Sequence, residues 1–107
     1  MRIYTCNKCS RIHLETGNVL MHFTCPEKLR FYLNYLETID VPYYAAINGN
    51  KGLEKVIILP VAETSVNIAF TVQEFELLKE TIHNYLMGKT MTKDVAVYAS
   101  QQTFCLN

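Results

Sequence analysis

Apolar and polar residues alternate in short runs along this chain, and each run feeds a stretch with helical spacing. Arg11-Ile12-His13-Leu14-Glu15 alternates, with Ile12 and Leu14 on one face and the polar residues on the other. Val19, Met21 and Phe23 continue the pattern in a return run, and residues 2–5 form a short strand ahead of both. Gly17-Asn18 between the runs suits a two-residue hairpin turn with glycine first, the type II′ preference. In that register Leu14 faces Met21 and Ile12 faces Phe23, although a shift of two residues would also match apolar to apolar. Leu29, Tyr32, Leu33 and Leu36 then fall at i, i+3, i+4 and i+7, which predicts a helix with an inward stripe. Asp40-Val41-Pro42 is expected to end it, because the residue before proline resists the α region.

The second half repeats the scheme. Tyr43–Asn48 is expected as a strand, followed by a turn at Gly49-Asn50-Lys51-Gly52, a strand over 54–59 and a loop over 60–64. A strand over 65–70 places Val66, Ile68 and Phe70 inward, and Phe75, Leu78, Ile82, Tyr85 and Leu86 mark the buried stripe of a second helix. Gly88 suits the left-handed residue beyond a helix end. Val95–Ala99 reads as a last strand, with Phe104 and Cys105 in a short tail.

Two capping boxes punctuate these halves. Thr24-Cys25-Pro26-Glu27 and Thr71-Val72-Gln73-Glu74 are both T-x-x-E, offset by 47 residues, and each follows an alternating run ending in phenylalanine. In such a box the threonine hydroxyl accepts from the glutamate N–H while the carboxylate reaches back to the threonine N–H. The expected fold is therefore α+β, with duplicated ββα units forming a mainly antiparallel sheet and two helices packed on one face. The organisation is a single domain over 1–107. Residues 10–40 form the first ββα unit, 43–88 the second, and 89–107 a C-terminal strand and tail. An uncovered sheet face or an unpaired edge would favour a homodimer.

Composition narrows the function classes. With 50% hydrophobic and 19% charged residues in 107, the chain can bury a modest core and is not a disordered segment. Its formal charge is zero. Arg2, Lys8, Arg11, Lys28 and Arg30 outweigh Glu15 and Glu27 in the first thirty residues, too weak an asymmetry for nucleic-acid binding. The first residues contain no apolar signal-peptide core, and no apolar run approaches the roughly 20 residues a membrane crossing needs. A cytoplasmic location is expected, where four cysteines serve as thiols or metal ligands rather than disulfides.

The candidate chemistry centres on Cys6-Asn7-Lys8-Cys9, which has the spacing of a zinc knuckle. A structural zinc needs four ligands, so two more must join. In the favoured register Ser10 lies opposite Cys25, bringing Cys25 toward Cys9, whereas His13 is about 13 Å along the strand from Cys9. Cys25 also sits in the first turn of a helix, where the macrodipole favours a thiolate. Cys105 is the natural fourth ligand, so the expected metal site is Cys6, Cys9, Cys25 and Cys105, with zinc as the cofactor. The alternative is a thiol-dependent redox protein using Cys6 and Cys9, but this pair precedes a hairpin and lacks the helix N-terminus that activates thioredoxin-like sites.

His13 and His22 are expected as cross-strand neighbours on the outer face near Glu15 and Arg11, a solvated polar cluster more often than a metal or proton-transfer site. His83 reads as a surface residue. The seven tyrosines are explained by core and interface packing, since no cluster of arginine or lysine accompanies them. Without a phosphate loop, a nucleophile elbow or paired carboxylates, nothing supports an enzyme.

Cys6-x-x-Cys9, His13-Leu14, Gly17-Asn18-Val19, Phe23-Thr24, Glu27 and the second Phe70-Thr71…Glu74 helix start resemble a family of small uncharacterised bacterial proteins. Those proteins open with a CxxC hairpin before duplicated strand-helix units. The resemblance spans roughly residues 4 to 88. It implies that Cys6 and Cys9 are shared features and Cys25 and Cys105 particular to this chain, which favours a metal completed by a dimer mate, or none. The expected function is a small non-enzymatic interaction or scaffold protein with a CxxC zinc knuckle at its N-terminus and an unknown protein partner.

Overall fold

The two-residue turn at Gly17-Asn18 sets the first sheet. Gly17 takes a φ of +59°, the positive value that the first position of a type II′ turn requires. Strand β2 (Ile12–Thr16) and strand β3 (Val19–Phe23) then pair antiparallel with Ile12 opposite Phe23, His13 opposite His22 and Leu14 opposite Met21. Strand β1 (Arg2–Thr5) joins the other edge of β2, giving the order β1-β2-β3. The computed structural model describes residues 1–8 and 10–88. The expected strand over 95–99 and Cys105 lie outside these residues, as does Cys9.

The described chain divides into two compact units, residues 1–37 with 78–88, and residues 38–77. In the first, Ile12, Leu14 and Thr16 are buried along one face of β2, while His13 and Glu15 on the other face are only half-buried. Helix α1 (Pro26–Glu37) buries Leu29, Leu33 and Leu36 of the predicted stripe, with its fourth member, Tyr32, half-buried. Its Tyr32 ring lies 5.5 Å from that of Phe23, and burial, with Tyr35 nearby, pushes the Tyr32 phenol up to about 12. The C-terminal part of helix α3 (Val72–Leu86) contributes Leu78, Ile82, Tyr85 and Leu86 to this core. A hydroxyl hydrogen bond between Thr5 and Tyr85 ties the end of β1 to that helix.

The second unit departs from expectation at its start. Residues 43–48 are not a strand but the body of helix α2 (Val41–Asn50). Asp40 caps it, its carboxylate accepting from the Tyr43 N–H at 3.2 Å, and Pro42 falls in the first turn, where a missing N–H costs nothing. Asp40-Val41-Pro42 therefore starts a helix rather than ending one. The buried or half-buried positions of α2 are Val41, Tyr44, Ala45 and Asn48, which is i, i+3, i+4, i+7. One of the four is polar and the intervening residues are largely apolar, so the period is hidden in the sequence. Asn48 is buried and donates from Nδ2 to the Val56 carbonyl at 2.7 Å. This bond holds the helix to the approach of strand β4 (Ile57–Pro60).

Strand β4 pairs antiparallel with β5 (Asn67–Phe70), Ile57 opposite Phe70 and Leu59 opposite Ile68. The strand expected over 65–70 begins two residues late. Val66 belongs to the loop and is exposed, its carbonyl accepting from the Val61 N–H and its N–H donating to the Thr64 hydroxyl. Among the described residues the protein is thus α+β with three helices and two small antiparallel sheets, of three and two strands. The single continuous sheet is corrected to two, because the segment that would have extended the second hairpin is α2.

The two capping boxes behave differently. At α3 the box is complete, with Glu74 N–H donating to Thr71 Oγ1 at 3.0 Å and Thr71 N–H donating to Glu74 Oε1 at 2.8 Å. That backbone bond first, and the Lys55 ammonium second, hold the Glu74 carboxyl below its ordinary value. Phe70 before the cap packs against Phe75, ring centroids 6.4 Å apart, as a hydrophobic staple should. At α1, Thr24 and Glu27 exchange no side-chain hydrogen bonds among the described residues. Cys25 instead provides the first carbonyl, accepting from the Lys28 and Leu29 N–H groups. Pro26 explains the shift: it suits the first helical position, and it keeps the preceding residue out of helical conformation. Gly88 ends α3 at φ +67°, its N–H donating to the Tyr85 carbonyl.

Two stability measurements check this account. Thr71→Ala should lose about 1 kcal/mol in denaturant melts through the cap, whereas Thr24→Ala should stay within about 0.5 kcal/mol. Asn48→Ala should cost about 1–3 kcal/mol, because it leaves the Val56 carbonyl without its partner inside the fold.

Candidate functional site

The cysteine turn lies between β1 and β2. Cys6 N–H donates to the Arg11 carbonyl at 2.9 Å, and the Cys6 carbonyl accepts from the Ser10 N–H at 3.0 Å. Ser10 adopts φ +56°, a left-handed conformation uncommon for a residue with a side chain. The two hydrogen bonds bring Ser10 and Arg11 back to Cys6, which is itself half-buried and in no disulfide. Cys25 is buried at 3% exposure beside the N-terminus of α1, and its sulfur is engaged in a disulfide. Cys9 and Cys105, the other two expected ligands, lie outside the described residues. Among the described residues no group of three or more histidines, cysteines or carboxylates could hold a metal ion.

The outer face of the three-stranded sheet carries the other cluster. A two-residue hairpin makes Thr16 and Val19 a hydrogen-bonded pair, and the alternation counted back from there makes His13 and His22 a non-hydrogen-bonded pair, the closer kind. Their rings meet edge-on, centroids 4.7 Å apart, with Nδ1 to Nδ1 at 2.7 Å. Tyr4, opposite His13 on β1, stacks on its ring at 5.2 Å. A row Tyr4–His13–His22 therefore crosses the sheet. The histidine neighbours are as the hairpin register predicts, whereas Tyr4 was not singled out. Its signal was available in the β1 pattern, which sets Tyr4 and Arg2 on the face opposite Ile3.

Beside this row runs a charged one. Arg2 Nη2 lies 2.9 Å from Glu15 Oε1, the Tyr4 hydroxyl donates to the same oxygen at 3.2 Å, and the Arg2 guanidinium sits over the Tyr4 ring. The hydrogen bond from Arg2 outweighs the desolvation that opposes it and holds the Glu15 carboxyl below 4.5. Arg11 contributes its backbone carbonyl to the cysteine turn. His83 lies in the last turn of α3 and is exposed. A shallow groove along α1 is lined by Glu27, Arg30, Phe31 and Asn34, with Phe31 exposed.

Because the folded Glu15 carboxyl titrates below its unfolded counterpart, its stabilising contribution is present above pH 4.5 and is lost as the pH falls through the folded value. Arg2→Ala should move the Glu15 titration back up toward the ordinary value. Carboxyl NMR would read that shift, with only a slight fall in the neutral-pH melting midpoint, since both groups are solvent-exposed.

No described helix is long and apolar enough to cross a membrane. The chain matches no curated protein and no solved structure. One family matches it nearly end to end, over residues 2–107, and the chain therefore belongs to that family, a family of unknown function, DUF6686.

Proposed function

We propose that this protein is a small non-enzymatic interaction or scaffold module whose N-terminal turn is held by zinc at a Cys6/Cys9 knuckle, with Cys25 and Cys105 as the remaining ligands. The observation that carries the reading is the turn itself. Two backbone hydrogen bonds close it at Cys6, and the left-handed Ser10 directly after the motif lets the chain double back within five residues. Structural zinc sites use such tight reversals to aim two thiolates at one ion. The disulfide at Cys25 adds support of a second kind: it requires another sulfur within bonding reach, and on reduction the same proximity suits a shared metal. Cytoplasmic residence, where thiols stay reduced, belongs to this reading. So does a homodimer or other protein partner meeting the exposed apolar side chains Tyr43 and Ile47 of α2. Strand, strand and helix follow one another as β2-β3-α1 and again as β4-β5-α3, which supports an origin by duplication.

A second reading is a thiol-dependent redox protein acting through Cys6 and Cys9, favoured by a half-buried Cys6 that is in no disulfide. Native mass spectrometry on protein purified without chelator, with a thiol count on the same sample, separates the two. One zinc per chain with protected thiols, and loss of N-terminal structure on chelation, is the expected result. Zinc bridging two chains would assign the missing ligands to a dimer mate. A metal-free protein that retains a disulfide and exposes reactive thiols would overturn the zinc reading in favour of redox chemistry.

A further inference from the structure

We infer that His13 and His22 form a two-imidazole clamp for a divalent transition-metal ion that favours imidazole ligands, separate from the cysteines. The argument starts from the distance. A metal–imidazole bond is about 2.0–2.1 Å, so two ligands at a right angle sit about 2.9 Å apart and two at the tetrahedral angle about 3.3 Å apart. The two Nδ1 atoms are 2.7 Å apart, held by a hydrogen bond, so a small opening of the pair reaches the spacing of two ligands on one ion.

Position supports the same reading. The pair stands on adjacent paired strands, so the backbone fixes the spacing of its two Cβ atoms before any metal arrives. The stack of Tyr4 on His13 orients one ring, and His22 is exposed, leaving the approach open to an ion and its waters. In the metal-free pair one Nδ1–H donates to the other Nδ1. Binding needs both lone pairs turned toward one point, which small rotations about the soft imidazole χ2 torsions achieve, with the donor ring's proton moving to Nε2 through solvent. Glu15 is two residues from His13 on the same face but is engaged by Arg2 and Tyr4, so water fills the remaining positions.

The test is titration of the full chain with Ni²⁺, which spares the thiols the oxidation that copper would cause, followed by NMR and calorimetry. Paramagnetic broadening centred on the His13 and His22 ring signals at substoichiometric nickel is the expected result, and it requires no variant. His22→Gln should weaken that event by at least the ~10-fold that loss of even an outer-shell partner costs, while His83→Gln on α3 leaves it unchanged. Because His22 is exposed, the variant should keep the wild-type melting midpoint. Broadening confined to the cysteine turn, or an affinity equal in wild type and His22→Gln, would overturn the clamp. Neither result bears on whether zinc occupies the cysteines.

Discussion

The pairing of β2 with β3 is the constraint on which the N-terminal unit depends. A strand turns successive side chains to opposite faces, so a slip of one residue would send Ile12 and Leu14 into water and draw His13 and Glu15 into the core. Fully burying an aliphatic side chain is worth about 1.5–3 kcal/mol, so two such residues already make the slip costly. Gly17 removes the remaining ambiguity. With a positive φ at the first turn position, Thr16 and Val19 become the closing pair, and the competing register offset by two residues would need a different loop. The same pairing that buries Leu14 places His13 beside His22, so core and outer cluster are two consequences of one register.

Helix starts show how a local signal is read in context. The same T-x-x-E spacing occurs twice, yet only Thr71 and Glu74 complete the reciprocal bonds. One proline makes the difference at the first site, moving the start of α1 to Pro26 and leaving Cys25 as the residue whose carbonyl opens the helix. That shift puts a buried cysteine at the N-terminus of a helix. At α2 a second proline acts in the opposite sense to the usual expectation, because Asp40 in front of it supplies the cap.

The two candidate sites differ in what holds them. The cysteine turn is a backbone construction, closed by bonds at Cys6 and by the unusual conformation of Ser10. The histidine row is a side-chain construction laid across three paired strands, with Tyr4 stacked at one end and the Arg2–Glu15 pair alongside. Belonging to DUF6686 assigns chemistry to neither, so each rests on its own geometry.

Local pattern by itself determined the elements in which period, turn and cap agree: β1, the β2–β3 hairpin with its register, the buried stripes of α1 and α3, the box at Thr71 and the left-handed Gly88. In each of these the nearest neighbours in sequence settle the outcome, through two-residue alternation, 3.6-residue spacing or a required φ. Only the tertiary structure decided α2. Tyr43, Tyr44, Ala45, Ala46 and Ile47 are apolar without a visible phase, and the residue that completes the buried face is the polar Asn48. Its burial becomes favourable only because the Val56 carbonyl, eight residues away, comes within 2.7 Å to accept its hydrogen bond. The same holds for the outer histidines, which alternation set on one face but only the paired strands brought to 2.7 Å. A polar group's cost depends on a partner that sequence spacing does not reveal, and such partners meet only when the chain has folded.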